Sequence, residues 1–231
     1  MALPIFYLHQ YENENVVRLN EETSRHVVQV LRMKKGELLQ LTDGKGALLT
    51  ASIIDEHKKN CTVGIKEKLL FNPPGKKVSI AISLLKNTTR FEWFLEKATE
   101  VGVTEILPLK CDRTEKQHFR FDRMNHILIA AMLQSQQTWL PVLSEPLSFG
   151  DVITRSASTC KLIAHCQEAQ KHSIKEFAGN TSTQIFIGPE GDFSHAEIGL
   201  ALAQNFVPVT LGQSRLIAET AGVVAAVLLC I

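Results

Sequence analysis

The chain has 231 residues, enough for one large domain or two modest ones with a buried core. Apolar residues make up 45% and charged residues 21%, a globular mix that excludes wholesale disorder. Lys and Arg number 25 against 24 Asp and Glu, a net charge of +1, which excludes a strongly basic, histone-like binder but leaves room for a local basic patch. The longest apolar run, Val223 to Ile231, has nine residues. A spanning helix needs about 20, so no membrane segment is expected. The first residues lack a basic stretch and a cleavage site, so no signal peptide is expected either. Five cysteines at 61, 111, 160, 166 and 230 form no CxxC pair and fit a reducing cytoplasm. Cys160, His165, Cys166 and His172 match no common zinc spacing, so buried thiols rather than a metal are expected.

In chain order, Thr23 or Ser24 caps a first helix with Val27, Val30 and Leu31 on one face. Glu37 to Thr42 and Ala47 to Ile54 read as strands joined by Asp43-Gly44-Lys45-Gly46, a hairpin signal. Cys61 to Ile65 is a further strand. Residues 1–72 therefore read as a small barrel with a helix. Pro73-Pro74-Gly75 between Phe71 and Lys77 reads as a linker. Around it, Lys66, Lys68, Lys76, Lys77, Lys86 and Arg90 face only Glu67, which suits a solvated linker or a nucleic-acid surface equally.

Residues 73–231 alternate strand and helix. Strands are expected at 78–85, 106–109, 161–165, 184–187 and 207–211. A helix capped by Thr88 or Thr89 ends at Gly102, another spans 125–137, and the last begins near Thr220. This alternation predicts an α/β domain with a mostly parallel sheet. The last helix is apolar almost all round, so it lies in a core or a subunit interface.

Two strands end in unusual loops. One runs Ile187-Gly188-Pro189-Glu190-Gly191-Asp192-Phe193-Ser194, with Ser194 and Glu197 as a capping box for the next helix. The other runs Leu211-Gly212-Gln213-Ser214-Arg215-Leu216-Ile217-Ala218-Glu219. Neither is a dinucleotide fingerprint or a P-loop. Each alone suits a tight turn with a helix cap. Together, at the carboxyl ends of neighbouring strands, they suit a cradle for one small ligand.

These two loops resemble those of the SPOUT methyltransferases, and more narrowly the 16S rRNA (uracil-N3)-methyltransferase family, of small-subunit methyltransferase E type. The resemblance runs nearly full length. It includes Arg25-His26, Leu31-Arg32, Gly36 and Asp43-Gly44 early on, then Lys86, Glu92, Lys97 to Val103, Pro108, Arg113 and Gln134-Ser135. It implies a PUA-like RNA-binding barrel over 1–72 and a trefoil-knotted methyltransferase domain over 73–231. It implies a homodimer, S-adenosylmethionine as cofactor, no metal, and small-subunit rRNA or the assembled small subunit as partner.

On the same resemblance, Gly188, Pro189, Glu190, Gly191, Leu211, Gly212, Ser214, Leu216 and Ile217 bind the cofactor. Arg25, His26, Arg32, Lys86, Arg90, Arg113 and Gln134 bind RNA. Uridine N3 must lose its proton before it attacks, so the site needs a base or donors to an anionic uracil. Glu190 is a candidate base or a structural acceptor for loop amides; Arg215 is a candidate partner for the uracil anion or for phosphate. Three positions depart from the family pattern. Ile217 and Ala218 replace the usual Arg and Thr, Asp192 stands for Gly, and Gln137 stands for Arg. The first departure keeps two other readings open: a SPOUT enzyme of ribose 2′-O specificity, and an rRNA-binding or assembly protein with impaired catalysis.

Overall fold

The computed structural model describes residues 3–115 and 118–231, in two compact units. One comprises the chain up to Pro73 together with Met132–Leu140; the other comprises Pro74–Ala131 and Pro141–Ile231.

The first unit holds β1 (Ile5–Tyr7), β2 (Val16–Arg18), α1 (Glu21–Arg25), β3 (Leu38–Thr42), β4 (Ala47–Asp55) and β5 (Thr62–Leu70). Its sheet runs β1-β3-β4-β5-β2, antiparallel except for the β1–β3 pair. Register shifts at Thr50/Ala51 and Ile53/Asp55 bend the long β4–β5 pair, as bulges do. The curved sheet closes half a barrel around Leu39, Leu41, Leu49, Ile53 and Val63, with Val27 of the helical turn in the same core. Asp43 holds the hairpin by accepting from the Lys45 and Ala47 amides at 2.8 and 3.1 Å. Gly46 sits there at φ 98°, and a Cβ on it would fall 2.6 Å from the Phe71 carbonyl and 2.7 Å from the Trp139 ring. Trp139 Nε1 donates to that same carbonyl at 3.3 Å. The segment 132–140 is thus stitched to the hairpin it caps.

The helix cap differs from expectation. Asn20, not Thr23 or Ser24, accepts from the Thr23 amide and begins α1. Ser24 is buried instead, taking the Cys61 amide at 2.9 Å and giving its proton to the Leu19 carbonyl. The helix then widens to a π turn over His26–Val30, and Arg32 at φ 55° ends it.

The second unit adds β6 (Lys77–Ser83), α2 (Thr88–Val101), β7 (Glu105–Lys110), α3 (Phe121–Gln134), β8 (Val142–Leu143), β9 (Leu147–Ser148), α4 (Phe149–Arg155), β10 (Cys160–Ala164), β11 (His172–Ser173), β12 (Ser182–Ile187), α5 (His195–Ala203), β13 (Val207–Thr210) and α6 (Ala218–Cys230). Its sheet runs β11-β13-β10-β12-β6-β7-β8, with β9 also on β7, and every ladder among the described residues is parallel. Six of the seven residues of β6 are buried, as central parallel strands require. Ala81, Ile163 and Phe186 pack with Phe149 of α4, Ile198 of α5 and Phe193 on one face. The other face carries α2 and α6. Asn87, not Thr88 or Thr89, caps α2, and Gly102 at φ 98° closes it as expected. The Ser194–Glu197 capping box opens α5. Among the described residues, no helix is long and apolar enough to cross a membrane.

The end of the chain is threaded. After β13 the chain turns back and α6 lies on β6 and β12, beside α2. The 3₁₀ turn Ile174–Phe177, in the connection from β10 to β12, also packs on α6. The last helix therefore touches both the sheet and the connection from β10 to β12, as the expected knot requires. Gly222 permits the closeness: a Cβ there would lie 2.6 Å from the buried Phe94 ring and 3.2 Å from Ile82.

Candidate functional site

Parallel strands end together, and their carboxyl ends leave a crevice where order reverses. Here β10, β12 and β13 end side by side, and their loops enclose a cleft of about 540 Å³, within the usual range for small-molecule sites. Gly188, Pro189 and Glu190 form one wall; Leu211, Gly212, Ser214, Arg215, Leu216 and Ile217 form another. Gly191 is outside the lining, and its carbonyl accepts from the Arg113 guanidinium at 2.7 Å.

The loop after β12 is fixed from three sides. Glu190 Oε1 accepts from the Lys86 amide at 3.1 Å, which ties the loop to the chain just after β6 rather than to its own amides. Asp192 stands at φ 64°, in the left-handed region where Gly is the usual choice and Asp is tolerated. Its carboxylate uses the position by accepting from the Cys166 amide at 2.9 Å. Ser194 Oγ donates to Asp112 at 2.6 Å, and Glu197 accepts from the Asp112 amide at 2.9 Å. The loop is thus set before any ligand arrives.

Sequence reasoning missed the third wall, made by Ala164, His165, Cys166 and Lys171 after β10. The signal was available: this strand ends at the same edge as the two glycine loops. Lys171 Nζ donates to the His165 carbonyl at 2.7 Å and closes the turn. Burial, then the charge of Lys171, lower the His165 pKa from 6.5, while Asp192 and a hydrogen bond to the Gln167 backbone oppose that shift. Burial also pushes the nearby Cys111 thiol up to about 12, so it stays an inert core thiol. Cys160 is buried in β10, Cys166 is exposed at the cleft, and His172 pairs with Glu176 at 3.2 Å.

The other predicted residues are more dispersed. Arg90 reaches Glu219 at 3.4 Å, a carboxylate only 5% exposed in the first turn of α6. Lys86 pairs with Glu115 at 2.8 Å. In the first unit Arg25 pairs with Glu21, His26 meets the Phe6 ring edge-on, and Arg32 is exposed at the end of the π turn. Gln134 is exposed at the end of α3. Ile217 is 54% exposed on the cleft wall where the family pattern has Arg.

A threaded parallel sheet with a ligand cleft at its strand ends, joined to a small half-barrel, is the architecture of a knotted RNA methyltransferase with a PUA module. The family model of the RNA methyltransferase domain matches residues 72–230, and that of the RNA methyltransferase PUA domain matches 19–66. The ribosomal RNA small subunit methyltransferase E of Synechocystis is 32% identical over 92% of this chain and 72% of its own. The crystal structure of a probable rRNA-methyltransferase from Porphyromonas gingivalis superposes with a TM-score of 0.91 at 36% identity, covering 97% and 95% of the two chains. That of the small subunit methyltransferase E of Neisseria gonorrhoeae, bound to S-adenosyl methionine, gives 0.87 at 27% identity over 97% and 95%. The chain belongs to the ribosomal RNA small subunit methyltransferase E family.

Proposed function

We propose that this protein transfers a methyl group from S-adenosylmethionine to N3 of a uridine in small-subunit rRNA. The observation that supports it most is the cleft, walled by both glycine loops at the strand ends. Its residues fit the cofactor. The volume suits a nucleoside sulfonium, Leu211 and Leu216 offer apolar surface to an adenine, and His165 Nδ1 is a buried atom still lacking a partner.

Bound there, the cofactor supplies an electrophilic methyl carbon. The protein must hold the uracil edge against it, splayed from its stack, and manage the N3 proton. Arg215 is exposed on the cleft wall and makes no ion pair among the described residues, so its guanidinium is available to offset charge on a uracil oxygen. Glu190 serves the Lys86 amide through one oxygen and lines the cleft, and its other oxygen is the acceptor we assign to the proton. Arg25, His26, Arg32 and Gln134 in the first unit are the RNA contacts of that module, and Lys86 and Arg113 those of the second unit. Arg90 serves Glu219 first. The enzyme works as a homodimer through the apolar outer surface of α2 and α6, where Trp93, Val227 and Ile231 are exposed.

Ile217 favours a second reading, an rRNA-binding protein with weakened catalysis, because it puts an apolar side chain on the cleft wall. One experiment separates the two. Nucleosides from small-subunit rRNA are measured by mass spectrometry with and without the gene. Loss of 3-methyluridine on deletion, restored by this chain, supports the enzyme. Unchanged 3-methyluridine rejects it, and a lost methyl on ribose would assign a different specificity.

A further inference from the structure

Among the described residues, Ser156 Oγ, His165 Nδ1, Thr183 Oγ1, Gln184 Oε1 and Glu219 Oε2 are buried without a hydrogen-bond partner. Of these, only His165 belongs to a residue that lines the cleft. The side chain is 8% exposed. Buried polar atoms are nearly always paired, so an unpaired one on a ligand cleft marks where a ligand completes the bonding.

Its surroundings limit what that ligand group is. Burial and the Lys171 charge lower the pKa of the imidazole, and Asp192 opposes that shift. A carboxylate partner would meet the like charge of Asp192, which lines the same cleft and acts on the ring. An ammonium partner would meet Lys171, whose Nζ is tied to the His165 carbonyl at 2.7 Å. Each charged group of an amino-acid moiety therefore meets a like charge at this corner, which favours the uncharged nucleoside. A neutral imidazole nitrogen is either a donor or an acceptor, depending on the tautomer. A hydroxyl satisfies both cases, whereas an adenine amino group satisfies one.

We propose that His165 is a recognition residue for the nucleoside end of the cofactor, its Nδ1 sharing a hydrogen bond with a ribose hydroxyl. The inference rests on the cofactor reading given above. The loop after β10 then acquires a purpose, because Lys171 and the Asp192–Cys166 link hold the backbone on which His165 is carried.

The test is calorimetric titration of the full chain with S-adenosylhomocysteine and three analogues, lacking the 2′-hydroxyl, the 3′-hydroxyl or the 6-amino group. His165→Leu is expected to bind the parent ligand about tenfold more weakly, the usual worth of one buried hydrogen bond. Loss of one ribose hydroxyl should cost the unaltered protein a similar factor and His165→Leu almost nothing. Loss of the amino group should cost both proteins alike. His165→Asn, which keeps a short hydrogen-bonding group, should recover most of the affinity; a purely packing role would not be rescued this way. Equal affinity of His165→Leu and the unaltered chain overturns the proposal. So does coupling to the amino group in place of the hydroxyl, which would make His165 a reader of adenine. If the unaltered chain fails to bind S-adenosylhomocysteine, it is the cofactor reading itself that falls.

Discussion

Arg215 is exposed on the cleft wall and, among the described residues, makes no ion pair. If it stabilises an anionic uracil, Arg215→Ala lowers kcat by about 100-fold, the loss typical for one donor to developing charge, while the affinity for S-adenosylhomocysteine stays unchanged. Single-turnover methylation beside calorimetry checks this. Ile217→Arg in the same loop should change the rate little when Arg215 is present. His165 gives a second test. Its folded pKa lies below the ordinary 6.5, so below about 6.5 the unfolded chain binds more protons at this site than the folded chain does. Stability is expected to fall as pH drops through that value and to be indifferent to this group above it. His165→Asn, which does not titrate, should flatten the difference in urea midpoint between about pH 7.5 and 5.5. The glycine loops were legible because Gly-Pro-Glu-Gly and Leu-Gly punctuate their strands. His165 was not, because it follows its strand with no such mark, and only the strand order brings it to the site.

At the scale of elements, α2 and α6 meet where Gly222 leaves no space for a side chain. Gly222→Ala gains helix propensity worth about 1 kcal/mol, yet drives a methyl into Phe94, which is fully buried and cannot retreat. Overpacking costs about 1–3 kcal/mol, so a net loss is expected, read as a lower urea midpoint with unchanged slope. Alternation of strand and helix predicted the parallel sheet, because its buried strands stand out as apolar runs. The missed elements are those without periodicity: β1 and β2 have three residues each, and α4 has seven. The caps went astray for a chemical reason. Asn, Ser and Thr serve equally as caps, and tertiary contacts decide: Ser24 is taken by the Cys61 amide, which leaves Asn20 for the helix.

The whole molecule holds two features that no local pattern announces. The segment Met132–Leu140 belongs with the first unit although some sixty residues separate it from Pro73, because Trp139 closes the hairpin at Gly46. Its partners are far away in the chain, so only the fold reveals them. The knot came from the resemblance alone, since periodicity carries no information about threading. Both matter for refolding. The sheet and helices should re-form before α6 has passed beneath the connection at Ile174–Phe177. Circular dichroism is therefore expected to recover ahead of S-adenosylhomocysteine binding after dilution from urea. Simultaneous recovery would mean that threading is not the slow step.

The threading also makes the cleft a certificate of completion. Its three walls are the turns after β10, β12 and β13, and the last of them leads straight into α6, which packs on the connection from β10 to β12. A nascent chain that has not yet placed α6 has the strands of the cleft but not its last wall, so on the proposed function it holds no cofactor. Conversely, a single backbone cut in the 165–181 connection would let α6 slide free without unthreading, so one nick there should release the donor from an otherwise intact sheet.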